Sequence, residues 1–194
     1  MYDLLLKGAH VVDPLNGVNG VNDVAVEGGK IAAVGPDLTG PAREVIDVSG
    51  WVLQPGIIDS HVHLGSMWGS PYGPRMLAMN GVTTCLDMAG PLDDILEKTP
   101  QYGAGLNTAL LQFASPPFTF KTNAPSKAEM VELIDKSLAE GALGVKLLGG
   151  HYPLTPEVSS TLIKTALERR AYVAWHAGTS AHGSNLEEIG RAHV

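Results

Sequence analysis

Apolar and polar residues alternate in short runs over the first 54 residues. The runs 3–7, 10–12, 22–27, 30–34 and 44–48 predict strands. Gly28-Gly29 predicts a hairpin turn between two of them, and Asp13-Pro14 and Asn16-Gly17 predict further turns. Residues 1–54 are therefore expected to form a small all-β unit. From Pro55 the rhythm changes to strand then helix. Apolar runs at 56–63, 82–88, 106–114, 143–148 and 172–176 predict strands spaced about 25 to 38 residues apart, one βα unit each. Ser126 and Glu129 make a capping box ahead of a helix over 127–140, and Gly141 suits its left-handed stop. Thr155-Pro156-Glu157 opens the next helix as an N-cap followed by proline in the first turn. Repeated βα units imply a parallel sheet, either open and doubly wound or closed as a (β/α)8 barrel. The candidate chemistry falls at the C-terminal strand ends, which favours the barrel, although open sheets share that rule. The expected fold is α/β, a partial (β/α)8 TIM barrel of about five of the eight units over residues 55–188, preceded by a β-sandwich segment over residues 1–54.

The strand at 56–63 closes on His61-Val62-His63. Residues i and i+2 share one face of a strand, so both imidazoles aim into one small volume. There they can bite a divalent ion, zinc or one of its neighbours. A pair of hydrogen-bonded core histidines would give the same pattern. Lys146 sits in the apolar run 142–148. A bare ammonium there is costly, so it is paired, neutralised or chemically altered, unless its stem packs while its head reaches the strand end. Carboxylation by CO2 would turn it into a carboxylate able to bridge two ions. His176 closes the fifth strand, where by itself it reads as a capped core histidine. Three strand ends that each bring such a group to one barrel mouth are what a metal site requires. Asp59 shares the face of His61 and His63, one step deeper, as either an imidazole-orienting acceptor or a core hydrogen bond. Asp87 ends the second strand, where it can support the site. Arg75 and His182 read as surface and loop residues, and His10 as structural.

Composition narrows the function classes. Forty-four per cent of the 194 residues are hydrophobic, enough for one or two domains with a real core. A net charge of −7 with no basic cluster speaks against a nucleic-acid partner. The single cysteine, Cys85, rules out an internal disulfide, fits a reducing compartment and lies in an apolar run that favours packing over chemistry. Neither a signal-peptide pattern nor an apolar run near the ~20 residues that span a bilayer is present. A cytoplasmic protein without a membrane partner is expected.

Several segments are similar to one known group. They are the opening Tyr2-Asp3-Leu4-Leu5-Leu6-Lys7-Gly8-Ala9-His10-Val11-Val12-Asp13-Pro14, the stretch Gly28-Gly29-Lys30-Ile31-Ala32-Ala33-Val34-Gly35, and Gly81-Val82-Thr83-Thr84. The most specific runs from Val45 through Gln54-Pro55-Gly56-Ile57-Ile58-Asp59-Ser60-His61-Val62-His63. In these the chain resembles the amidohydrolase superfamily, in its dihydroorotase, hydantoinase and N-acyl deacylase branch. The resemblance implies a β-sandwich beside a TIM barrel with two zinc ions at its mouth. His61 and His63 would hold the more buried ion, carboxylated Lys146 would bridge, and His176 would hold the more exposed ion. A bridging hydroxide would attack a cyclic amide or an N-acyl amino acid, a small-molecule substrate. His151 and Tyr152 would contact it, since related hydantoinases place a tyrosine about there. An oligomer of identical chains stays open.

The chain also departs from that pattern. Many dihydroorotases carry an arginine two residues past the second histidine, where this chain has Gly65. The sixth-strand histidine and the eighth-strand aspartate, the usual general base, fall beyond residue 194, so no catalytic base is expected within it. Residues 189–194, Ile189-Gly190-Arg191-Ala192-His193-Val194, match the translation of a widely used sequencing adapter, ATC GGA AGA GCA CAC GTC before the stop TGA, and are expected to be non-native read-through. A fragment with open barrel edges is expected to be insoluble or molten, and inactive, when expressed by itself. Two rival functions are a one-metal deaminase of the same superfamily, against which Lys146 argues, and a non-catalytic scaffold relative, against which the retained ligands argue.

Overall fold

In a computed structural model the described residues are 1–64, 72–152 and 154–178, with Ala89 and His151 described by their backbone alone. Gly65, His182 and the segment 189–194 lie outside them. The chain divides into two compact units, Met1–Gly56 and Ile57–Val194.

The first unit is one mixed sheet. Strand β1 (Tyr2–Asp13) pairs antiparallel with β2 (Val18–Glu27), which pairs antiparallel with β3 (Lys30–Gly35). Strands β4 (Ala42–Asp47) and β5 (Val52–Leu53) run parallel to β1. The β2–β3 turn takes positive φ at both Gly28 (59°) and Gly29 (73°), the geometry that a two-residue hairpin needs and glycine supplies. The sequence pattern splits β1 into two strands around Gly8. One strand runs through, with a register shift between Leu6 and Ala9, where Gly8 sits at φ 76°. Ala9, Val11 and Val24 form a small core on one face. Elsewhere the buried Asp23 carboxylate takes donors from Lys7 Nζ, the Gly8 N–H at 2.8 Å and the Leu38 N–H at 2.9 Å, tying the bulge to the loop after β3.

The second unit is a five-stranded, wholly parallel sheet curled as part of a barrel wall, in the order β10-β9-β8-β7-β6. Its strands are β6 (Ile57–Val62), β7 (Val82–Gly90), β8 (Asn107–Ala114), β9 (Gly144–Leu147) and β10 (Tyr172–Trp175). The helices α1 (Tyr72–Met79), α2 (Leu92–Tyr102), α3 (Lys127–Ala139) and α4 (Pro156–Glu168) alternate with them. This is the architecture expected of consecutive βα units. The capping box is present: Ser126 Oγ accepts from the Glu129 N–H at 3.3 Å, and Glu129 Oε2 accepts from the Ser126 N–H at 2.8 Å. Thr155 caps α4 with Pro156 in its first turn. Helix α2 has no cap of its own, since Pro91 precedes it. The buried Gln112 of β8 fills that role: its Oε1 accepts from the Leu92 N–H at 2.7 Å.

The core lies between sheet and helices. Ala114, Val145 and Leu147 pack with Met130 and Ile134 of α3 and with Leu162 and Ala166 of α4. Side chains alternate along a strand, so Lys146, between Val145 and Leu147, belongs to the opposite face. Its register partners on that face are Phe113 of β8 and Ala174 of β10. Among the described residues, no helix is long and apolar enough to cross a membrane.

Candidate metal centre

The end of β6 carries the histidine pair. The His61 and His63 rings meet edge to face, with centroids 5.4 Å apart and an interplanar angle of 63°. Two hydrogen bonds fix the backbone around them. Asp59 Oδ1 accepts from the His61 N–H at 3.1 Å, and Asp87 Oδ2 of β7 accepts from the Leu64 N–H at 2.8 Å. Asp59 thus bonds the backbone of the motif through an exposed hydrogen bond, rather than orienting an imidazole or closing a core hydrogen bond. Asp87 is fully buried and supports the motif from the neighbouring strand.

Electrostatics link this strand end to β9. Burial holds the His63 imidazole below its usual pKa; the charges of His61 and Lys146 push the same way, and Asp87 opposes them. His63 is thereby favoured as the neutral ring, the form that binds metals. Lys146 is only 5% exposed, and burial pushes its ammonium pKa down. Among the described residues, no carboxylate lies within ion-pairing distance of Lys146 Nζ. Pairing with a described acidic residue, one of the readings that the sequence left open for Lys146, is thus not seen.

His176 follows β10 directly. Its backbone N–H donates to the Leu147 carbonyl at 3.0 Å, continuing the β9–β10 ladder past Trp175. The exit of β9 runs through a 3-10 turn, Gly149–His151, to Tyr152. Tyr152 packs with Phe113 and Leu148, and Phe113 is the register partner of Lys146. Phe118, in the loop after β8, stands edge-on to both Phe113 (5.7 Å) and Tyr152 (5.5 Å). Phe118 carries no signal in the sequence, being one exposed aromatic in a Pro-Pro loop.

The structure thus brings His61, His63 and Lys146 into one electrostatic neighbourhood and sets Tyr152 on the face of Lys146. Among the described residues, no three His, Cys, Asp or Glu side chains are grouped closely enough to hold an ion. The imidazole pair and Lys146 are the candidate donors at this strand end, two ring nitrogens and an amine that binds a cation only once it has lost its proton. Arg75 is exposed in α1, His10 bonds the Asn19 side chain at 2.8 Å, and Cys85 is buried beside Thr108.

Comparison with known proteins adds three likenesses. Over 99 residues, 48% of this chain, it is 44% identical to an allantoinase of Escherichia coli strain SMS-3-5 / SECEC, and the match spans 21% of that protein. A crystal structure of D-aminoacylase described as defining a novel subset of amidohydrolases matches 91% of this chain and 45% of its own, at 26% identity and a TM-score of 0.73. An N-acyl-D-glutamate deacylase from Bordetella bronchiseptica, crystallised with zinc and a phosphonate mimic of the tetrahedral intermediate, covers 90% of this chain and 45% of its own. That likeness is one of fold, at 22% identity and a TM-score of 0.74. No family model matches the chain. The chain spans less than half of each of these relatives.

Proposed function

Since the chain belongs to the amidohydrolase superfamily, we propose that its protein hydrolyses an amide C–N bond of a cyclic amide or an N-acyl amino acid, with two zinc ions held by His61, His63, Lys146 and His176. The observation that carries this reading is the edge-to-face pair His61 and His63 at the end of β6, with Lys146 close enough to act on the charge of His63.

Each residue has a role that its chemistry allows. His61 and His63 bind one ion through neutral imidazoles. A neutral Lys146 amine would add to CO2, with an N–C bond formed at the expense of one C–O π bond and one N–H proton lost, and the resulting carbamate would give this strand end an anionic oxygen donor. Burial of Lys146 favours that neutral amine. His176 holds the second ion from the end of β10. Bound divalent ions supply Lewis-acid polarisation of the substrate carbonyl and a water of lowered pKa. Tyr152, and His151 beside it, meet the substrate from the β9 exit. A one-metal deaminase would need no bridging group, and a scaffold would need no ligands. The retention of Lys146 with three histidines favours the two-ion hydrolase. A lone buried Cys85 suits the reducing cytoplasm.

The test uses the complete gene product, purified with zinc. Elemental analysis is expected to find two ions per chain, and far fewer in a His61→Ala/His63→Ala variant. The wild type is expected to open a cyclic ureide or release the amine of an N-acyl-D-amino acid, and the variant to do neither. Equal metal content in both proteins overturns the assignment.

A further inference from the structure

Gly149 is the first residue of the 3-10 turn that follows β9, at φ 51°. A Cβ built on it would fall 1.7 Å from the carbonyl oxygen of His176, 2.7 Å from its carbonyl carbon and 3.3 Å from its Cβ. No side chain fits there, because real Cβ atoms do not approach within 3.0 Å of backbone. The β9 exit therefore lies directly on the backbone of the residue that closes β10. Gly144 makes a similar approach at the other end of β9, where a Cβ would fall 1.9 Å from the Tyr172 carbonyl oxygen. The two glycines hold β9 against β10 at both ends, and only Gly149 does so beside candidate chemistry.

We infer that Gly149 is a positioning residue for His176. By lacking a side chain it lets the β9 exit press on the His176 carbonyl, which sets where that histidine stands relative to Lys146 on the adjacent strand. The inference rests on the reading of His176 as a ligand. Any Cβ at position 149 must push the turn and the His176 backbone apart. The ion that depends on His176 is then held less tightly, whereas the ion on His61 and His63, two strands beyond β8, keeps its donors. Groups that orient a ligand typically alter metal affinity by about tenfold or more.

The experiment is zinc retention by the complete gene product during titration with a chelator, read by elemental analysis, with circular dichroism on each variant. Gly149→Ala is expected to keep its fold and the first ion and to release the second at about tenfold lower chelator strength. Gly20→Ala, a control at a position where an added Cβ meets nothing within 4 Å, is expected to behave as wild type. His176→Ala separates the two readings. If it keeps both ions, the ligand assignment fails and this inference falls with it. If it loses one while Gly149→Ala keeps both, this inference alone is overturned. Should Gly149→Ala not fold, Gly149→Asn tolerates positive φ but retains the Cβ. Loss of the second ion from folded Asn variant supports the proposal, and full retention overturns it. Insolubility of both variants beside a soluble Gly20→Ala also overturns it, because Gly149 would then serve the fold rather than the site.

Discussion

Asp87 of β7 accepts the Leu64 N–H at 2.8 Å, so the residue just past the histidine pair is anchored to the neighbouring strand. The carboxylate is fully buried, so its loss cannot be made good by water. Asp87→Ala is expected to lower stability by about 1–3 kcal/mol through the unpaired amide, read as a lower urea midpoint, and to weaken zinc retention at His61 and His63. An unchanged midpoint would show that the Leu64 amide finds another acceptor.

Lys146 should carry a carbamate. Growth or incubation with 13C-labelled bicarbonate is expected to give a carbamate resonance in the complete gene product, and Lys146→Ala is expected to lack it. Acid releases CO2 from a carbamate, so denaturing mass spectrometry at low pH would show the unmodified mass in both. A labelled spectrum with no such resonance would leave Lys146 as a desolvated amine and remove the bridging ligand.

Phe118 and Tyr152, 5.5 Å apart between ring centroids, brace two loops on the Lys146 side of the sheet. Phe118 is 55% exposed, so Phe118→Ala should cost little stability, about 0.5–1.5 kcal/mol for the lost aromatic pairs. On the proposed role of Tyr152 as a substrate contact, its effect is expected in KM, with kcat less changed, because its own ring packs against that of Tyr152. A kcat that falls as far as kcat/KM would place Phe118 in the chemistry instead.

Asp23 should make the N-terminal sheet sensitive to acid. The hydrogen bond from Lys7, helped by the amides of Gly8 and Leu38, holds its carboxyl below the ordinary aspartate pKa in the folded state. Its stabilisation is therefore complete above the unfolded-state pKa of about 3.9. It is lost as pH falls from there through the lower folded value. Acid titration of stability is expected to show this loss below pH ~4, and Asp23→Asn is expected to abolish that part of the slope. An identical slope in the variant would assign the acid response to other groups.

The 194-residue polypeptide is expected to aggregate. Strand β6, at one end of the described sheet order, exposes Ile57 (49%) and Ile58 (70%), and β10 at the other end exposes Tyr172 (53%). Unpaired apolar strand edges recruit other chains. A soluble, cooperatively melting preparation would refute this.

Local chemistry made much of this architecture readable in advance. Ser126 with Glu129, Thr155 with Pro156, and Gly28 with Gly29 each act through neighbours in sequence, and each behaves as its residue types require. His61 and His63 were visible because strand periodicity puts them side by side. Strand β1 was split because Gly8 looks like a break, yet register partners on two sides carry the strand through its bulge. Two-residue β5 is too short for any alternation to register. Phe118 meets Tyr152, 34 positions away, and Gly149 meets His176, 27 positions away, contacts that no local pattern encodes. Asp87 reads in the sequence as a generic strand-end acid, because its hydrogen bond from the Leu64 N–H spans 23 positions.

Helix α2 begins on an amide that a glutamine twenty positions downstream satisfies. The helix thus borrows its first turn from a strand that follows it in the chain. As the polypeptide leaves the ribosome, that turn has no acceptor until β8 has emerged and docked, so α2 and β8 should consolidate together as one cooperative step.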